Sequence, residues 1–359
     1  MNKGLNVGIC GLGLIGGSLA KAFRKNRKVS CISAFDKNIN SIKLALKDKV
    51  IDKGTTEDYT IFRDADIVFI CTPINDVVNT AIAISKLSGA LLTDTASTKK
   101  QIINNMPESI RFIGGHPMAG SENRGYQAST ETLFENAVYI VCDNKLDEDD
   151  NRLLDGLIEM TGAIPLRLGN EEHDQAVGMV SHLPHIIAST LVNAVRAKDE
   201  NNMLSTLAAG GFKDITRIAS SDAALWEQML RSSEEAVINS INTYIEELDR
   251  LKGILEGRDR DRLIAYLEKA GKYREGIAGL RKGLLPVRPD LFIEVSDKPG
   301  IIGIITTLLG TNGINIKNLH IENSREYEGG SLRITLENTA DLDRAVKLLN
   351  ANNFPSRAR

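Results

Sequence analysis

No run of 18 apolar residues occurs in the chain, so no membrane-spanning helix is expected. Cysteine is sparse. Cys10, Cys31, Cys71 and Cys142 lie far apart, lack C-x-x-C spacing and mostly fall in apolar strand-like runs. They read as small core residues in a reducing compartment, and neither a disulfide frame nor a zinc site is expected. Excess charge of one sign is also missing: 44 Lys plus Arg stand against 47 Asp plus Glu. That balance gives no reason to expect a nucleic-acid-coating surface. The N-terminus enters a strand and a glycine-rich turn by residue 11, leaving no room for a signal peptide, so a cytoplasmic protein is expected. What is present is an ordinary globular balance. With 42% hydrophobic and 25% charged residues over 359 positions, there is enough for two or three domains.

Up to about residue 169 the chain alternates strand and helix. Short apolar runs at 5–10, 29–35, 67–71, 90–93, 112–114, 138–142 and 164–168 suit strands covered on both faces, with helical stretches such as 41–47 and 74–87 between them. This alternation predicts an α/β Rossmann-like doubly wound parallel sheet. The first strand runs into G-L-G-L-I-G-G, Gly11 to Gly17, and then a helix, the context that lends weight to a G-x-G-x-x-G. Gly11 permits a tight turn, Gly13 lets the backbone approach a pyrophosphate, and Gly16 allows close helix–strand packing. The helix N-terminus at Leu14, Ile15 and Gly16 offers free N–H groups to phosphate. Asp36 follows Gly16 by 20 residues, at the end of the second strand. A carboxylate there accepts from ribose hydroxyls and repels a 2′-phosphate, so NAD is the expected cofactor, with Lys37 leaving some tolerance of NADP.

Ligands of such sheets bind beyond the carboxyl ends of the strands. Thr72-Pro73, Asp94-Thr95-Ala96-Ser97 and Gly115-His116-Pro117 all fall at such ends. An isolated histidine is by default a satisfied structural residue. His116 is singled out because a glycine pair and a proline fix it at a strand exit, where its ordinary pKa of about 6.5 suits proton acceptance.

From 170 to 284 strand signals vanish, and a helical domain is expected. S-H-L-P-H (Ser181 to His185) sets His182 and His185 three apart, with Pro184 suited to a helix's first turn. His173 lies upstream, but no third ligand of recognisable spacing accompanies the pair, so no metal is assigned. Gly210 to Arg217 carries Lys213, Asp214 and Arg217. These read as a solvated charged face, except that an arginine there can clamp a carboxylate bidentately. A long helix beginning near Ser221-Asp222 carries Val237, Ile241, Tyr244, Leu248, Leu251 and Leu255 at heptad-like spacing, a seam that favours a homodimer. Residues 285–289 read as a linker. Residues 290–359 give a βαββα order with a short last strand near Phe354, an α+β ferredoxin-like sandwich. Pro355 confines that strand to a sheet edge.

G-L-G-L-I-G-G-S, D-T-A-S-T-K, G-G-H-P-M-A-G-S-E, S-H-L-P-H, G-G-F-K-D-I-T-R and S-D-A-A-L-W occur in this order over residues 5–285. Together they resemble the prephenate dehydrogenase family of tyrosine biosynthesis, and the tail resembles an ACT domain. The resemblance implies oxidative decarboxylation of prephenate to 4-hydroxyphenylpyruvate with reduction of NAD. It places His116 at the catalytic position and Ser97 beside it, orienting the substrate hydroxyl. It gives Arg217 a substrate carboxylate, His182 and His185 the pocket around the substrate, and Glu122 its mouth. Thr72 and Pro73 fall to the cofactor, Lys213, Asp214 and Trp226 to a supporting shell. In the tail it implies an amino-acid effector, L-tyrosine by expectation, held near Asp297, Pro299, Gly300 and Asn315. Motif spacing leaves arogenate open as the substrate, and leaves open a catalytically silent regulator that senses NAD and amino acids. A 3-hydroxyacid dehydrogenase would require Lys213 as its catalytic lysine, which the S-H-L-P-H motif disfavours.

Overall fold

The computed structural model describes residues 4–121, 123–142, 146–284, 289–296, 298–323 and 329–358. By compactness the chain divides into two units, residues 1–258 and 259–359.

The first unit is built on eight strands: β1 (Leu5–Cys10), β2 (Val29–Phe35), β3 (Lys53–Thr55), β4 (Ile67–Ile70), β5 (Leu91–Asp94), β6 (Phe112–Pro117), β7 (Val138–Cys142) and β8 (Ile164–Leu168), in the order β3-β2-β1-β4-β5-β6-β7-β8. Both faces are covered, which is why the strands read as continuous apolar runs. Along β4 the alternation of side chains sends Ile67 and Phe69 into one core, with Phe23 and Ile32. Val68 and Ile70 go into the opposite core, with Phe62 and Ile84. Chain order reverses between β1 and β4, so the crevice above their carboxyl ends is the expected ligand site.

Three features of this sheet depart from the sequence reading. The pairing is parallel except between β6 and β7, which run antiparallel. The edge strand β3 is too short and polar to show as an apolar run. Finally, β6 continues past residue 114 to Pro117, so His116 lies within the strand, paired in register with Ile140, not at its exit. Gly114 and Gly115 disguise this continuation. A Cβ at Gly115 would sit 2.6 Å from the Asp94 carbonyl oxygen, so the strand requires glycine there.

The rest of the first unit is helical. Helix Asn170–Val177 continues through a π-helical turn, Gly178–His182, into Leu183–Arg196, whose first turn accommodates Pro184. The long helix expected from residue 221 is two. Asp222 caps Ala223–Ser232 by accepting the Leu225 N–H at 2.8 Å, and Glu234–Glu256 follows a break at Ser233.

The second unit begins with helix Arg260–Leu284. It then forms a four-stranded antiparallel sheet of β9 (Asp290–Ser296), β10 (Ile316–Asn323), β11 (Gly329–Leu336) and β12 (Ser356–Ala358), in the order β10-β11-β9-β12. Helices Ile301–Thr311 and Thr339–Ala351 bury Ile305, Leu309, Leu342 and Leu349 against Leu291, Ile293, Leu332 and Ile334 of the sheet. The short last strand does form, at the sheet edge and just beyond Pro355.

Candidate active site

On the cofactor side, Gly11 takes φ +102°, and a Cβ there would meet the Cys71 carbonyl oxygen at 2.6 Å. At Gly16 a Cβ would lie only 1.9 Å from the Gly11 oxygen, so helix Leu14–Arg24 packs onto the turn only because that position is bare. Around Gly13 the reverse holds, for a Cβ there would meet nothing within 4 Å. Gly13 also precedes the helix without a side-chain cap, so the N–H groups at Leu14 and Ile15 are open to an anion. Asp36 is pinned beside this turn, accepting the Leu12 N–H at 2.6 Å and the Asn38 N–H at 2.6 Å. Thr72 and Pro73 follow β4 at the same edge, and the buried Thr72 Oγ1 has no hydrogen-bond partner. An uncapped helix start, an open glycine cradle and a carboxylate at the end of β2 fit a dinucleotide.

Two positions along the same edge, β6 delivers His116. The residue is 9% exposed, and Nδ1 lies 2.8 Å from Nε2 of His173. His173 Nδ1 in turn lies 2.7 Å from Asp174 Oδ1. Burial first, then the neighbouring His173, Lys99 and His182, hold the His116 pKa well below its ordinary value, so the ring is neutral near pH 7. Beneath it, Lys99 and Asp94 form an ion pair with no solvent exposure, and Asp94 also accepts the N–H groups of Ala96 and Gly115 at 3.0 Å each. That network ties the loop after β5 to β6. Ser97 sits half-buried on this loop.

The helical segment supplies the facing wall. His182 is buried, and desolvation pushes its pKa down to about 4. Its Nδ1 lies 3.3 Å from Ser233 Oγ, in the break between the two helices, while its Nε2 is buried without a partner. Three residues on, His185 stacks face to face on Trp226 at 3.5 Å, and its Nδ1 is likewise unpartnered. Unpaired buried nitrogens cost free energy unless a ligand satisfies them. Arg217 is exposed at the start of the 3-10 turn Arg217–Ser220, which packs on helix Leu183–Arg196. Glu122 and Asp297 lie outside the described residues. In the second unit Pro299 and Asn315 are exposed, and Gly300 takes φ +85° before helix Ile301–Thr311.

His173 and Asp174 were not foreseen as parts of the site. Both lie in the polar stretch N-E-E-H-D-Q, and their partners stand 57 and 75 positions away, at His116 and Lys99.

Three family models match in sequence order: the nucleotide-binding domain of prephenate dehydrogenase over residues 19–164, its dimerization domain over 169–269, and the ACT domain over 290–354. A prephenate dehydrogenase of Bacillus subtilis is 35% identical over 355 residues, covering 96% of this chain and 95% of that protein. Among solved structures, the prephenate dehydrogenase of A. aeolicus, in complex with hydroxyphenyl propionate and NAD+, is 32% identical with a TM-score of 0.73, covering 77% of this chain and 99% of that one. The Synechocystis arogenate dehydrogenase is 28% identical with a TM-score of 0.69, covering 76% of this chain and 100% of that one.

Proposed function

The chain belongs to the prephenate dehydrogenase family of NAD-dependent oxidoreductases, and we propose that its substrate is prephenate in preference to arogenate, with His116 as the group that accepts the 4-hydroxyl proton. The preference follows the relatives above 30% identity, which carry the prephenate name. The observation that carries the base assignment is a buried, neutral imidazole whose Nδ1 is engaged by His173, on the same sheet edge as the glycine turn.

NAD+, when bound at the turn of Gly11, Gly13 and Gly16 with Asp36 at its ribose, supplies the hydride acceptor. His116 Nε2 accepts the hydroxyl proton of the substrate as the C4 hydrogen leaves as hydride. Loss of CO2 from C1 then delivers its bonding pair to the ring, and His116 returns the proton to the resulting phenolate oxygen. Protons balance, and the imidazole ends neutral. Ser97, on the loop fixed by the Lys99–Asp94 pair, orients the hydroxyl. His182 and His185 line the pocket as neutral rings and Arg217 neutralises a carboxylate; the family resemblance assigns the pocket mouth to Glu122.

The reading extends to the remaining parts. Residues 1–169 form the dinucleotide domain and 170–284 the helical substrate and dimerisation domain. After the linker 285–289, residues 290–359 form an ACT domain that takes an amino acid, L-tyrosine, near Asp297, Pro299, Gly300 and Asn315. The enzyme works as a cytoplasmic homodimer. Steady-state assays with prephenate and arogenate, each with NAD+ and NADP+ and with or without tyrosine, test this. The expected result is fastest NADH formation from prephenate with NAD+, inhibited by tyrosine only while residues 290–359 are present. Faster turnover of arogenate would reverse the substrate assignment, and absence of turnover with either substrate would leave a silent sensor.

A further inference from the structure

The floor of the site is linked to the helical segment by three side chains in a row. His116 Nδ1 is 2.8 Å from His173 Nε2, and His173 Nδ1 is 2.7 Å from Asp174 Oδ1. His173 is fully buried and Asp174 nearly so. Both oxygens of Asp174 are also engaged from the other side: Oδ1 accepts the Lys99 N–H at 2.7 Å, and Oδ2 accepts the Lys100 N–H at 3.0 Å. Those two amides, from neighbouring residues, hold the carboxylate in one orientation.

The order of donors and acceptors follows from the far end. Backbone amides only donate, and the carboxylate they bind accepts, so the His173 nitrogen facing it carries a hydrogen. With a single ring hydrogen on His173, that hydrogen sits on Nδ1 and Nε2 is left as an acceptor. His116 Nδ1 must then be the donor, and the lone pair of His116 falls on Nε2.

We infer that His173 and Asp174 are positioning residues that lock His116 in the Nδ1–H tautomer, so that the ring always presents an unprotonated Nε2 to the substrate hydroxyl. The inference rests on the reading of His116 as the proton acceptor. In the opposite tautomer Nε2 would carry a hydrogen and could take none from the substrate. The other charged or titratable groups facing His116 do not set this order. Lys99 is paired with Asp94, and His182 engages Ser233 through Nδ1. When His116 has taken the proton, its Nδ1–H still points along the same row, with the Asp174 carboxylate at the end to offset the charge.

Two substitutions separate this role from mere packing. His173→Phe removes both contacts at similar size. His173→Gln keeps an oxygen to accept from His116 and an amide N–H to donate to Asp174. In the full-length enzyme His173→Phe is expected to lower kcat by about 10²-fold, with KM for prephenate and Kd for NAD+ changed by less than about threefold. His173→Gln should return kcat to within about tenfold of the wild type. Nitrogen-15 spectra of histidine-labelled protein should show His116 as a single Nδ1–H tautomer in the wild type and the Gln variant, and as a mixture in the Phe variant. Wild-type kcat in the Phe variant, no recovery with Gln, or an Nε2–H signal for His116 in the wild type would overturn the lock. The wild-type spectrum decides even if the Phe variant fails to fold. Should His116→Asn abolish turnover while His173→Phe does not, the base assignment stands and the lock alone is wrong.

Discussion

His116 shows how far surroundings decide what a side chain does. The charged form of the ring is disfavoured by burial first and by the neighbouring His173 and Lys99 second, so its pKa moves down and the acceptor form persists as pH falls through the range where an exposed histidine charges. Arg217 is the opposite case, an exposed side chain at the start of the turn Arg217–Ser220. A charge-assisted hydrogen bond contributes about 1.5–3 kcal/mol, so Arg217→Ala should raise KM for prephenate roughly 10- to 100-fold while kcat changes much less. Initial-rate kinetics read the two separately, and an unaltered KM would remove Arg217 from the clamp. His116 was singled out because Gly114, Gly115 and Pro117 mark its backbone as special. His173 and Asp174 were not. In sequence their only signature is that they share the buried face of helix Asn170–Val177 with Val177, a pattern indistinguishable from ordinary packing.

At the scale of elements, the steric part of the glycine turn was legible at Gly11 and Gly16, where a Cβ would collide with backbone oxygens. The antiparallel β6–β7 pair was not, since periodicity registers burial and not strand direction. Nor was the break at Ser233, where a continuous helical pattern hides the non-helical residue whose Oγ meets His182. Along helix Glu234–Glu256 the heptad seam starts buried at Val237 and ends with Leu248 at 47% and Leu255 at 55% exposure. Each large apolar side chain that a partner covers contributes about 1.5–3 kcal/mol. Placing carboxylates there through Leu248→Glu and Leu255→Glu should therefore shift the enzyme from dimer to monomer, as read by light scattering after size exclusion. A dimer that survives both changes would place the interface elsewhere.

For the molecule as a whole, strand–helix alternation, the loss of strand signals after residue 170 and the βαββα tail were all readable, because each is a change of period sustained over tens of residues. The last strand was the uncertain part. It forms because Pro355 stays outside it, with its carbonyl accepting the Glu294 N–H at 3.1 Å, so the missing proline N–H costs no ladder bond. The first unit brings the glycine turn and His116 to one edge of one sheet, although they stand about a hundred residues apart in the chain. The joint action of those two features is the central claim. The most direct test is kcat of His116→Asn at saturating prephenate and NAD+, with NAD+ affinity measured alongside by calorimetry. A fall in kcat of about 10²–10⁴-fold with NAD+ affinity nearly unchanged is the expected result, and a kcat at the wild-type level would contradict the account.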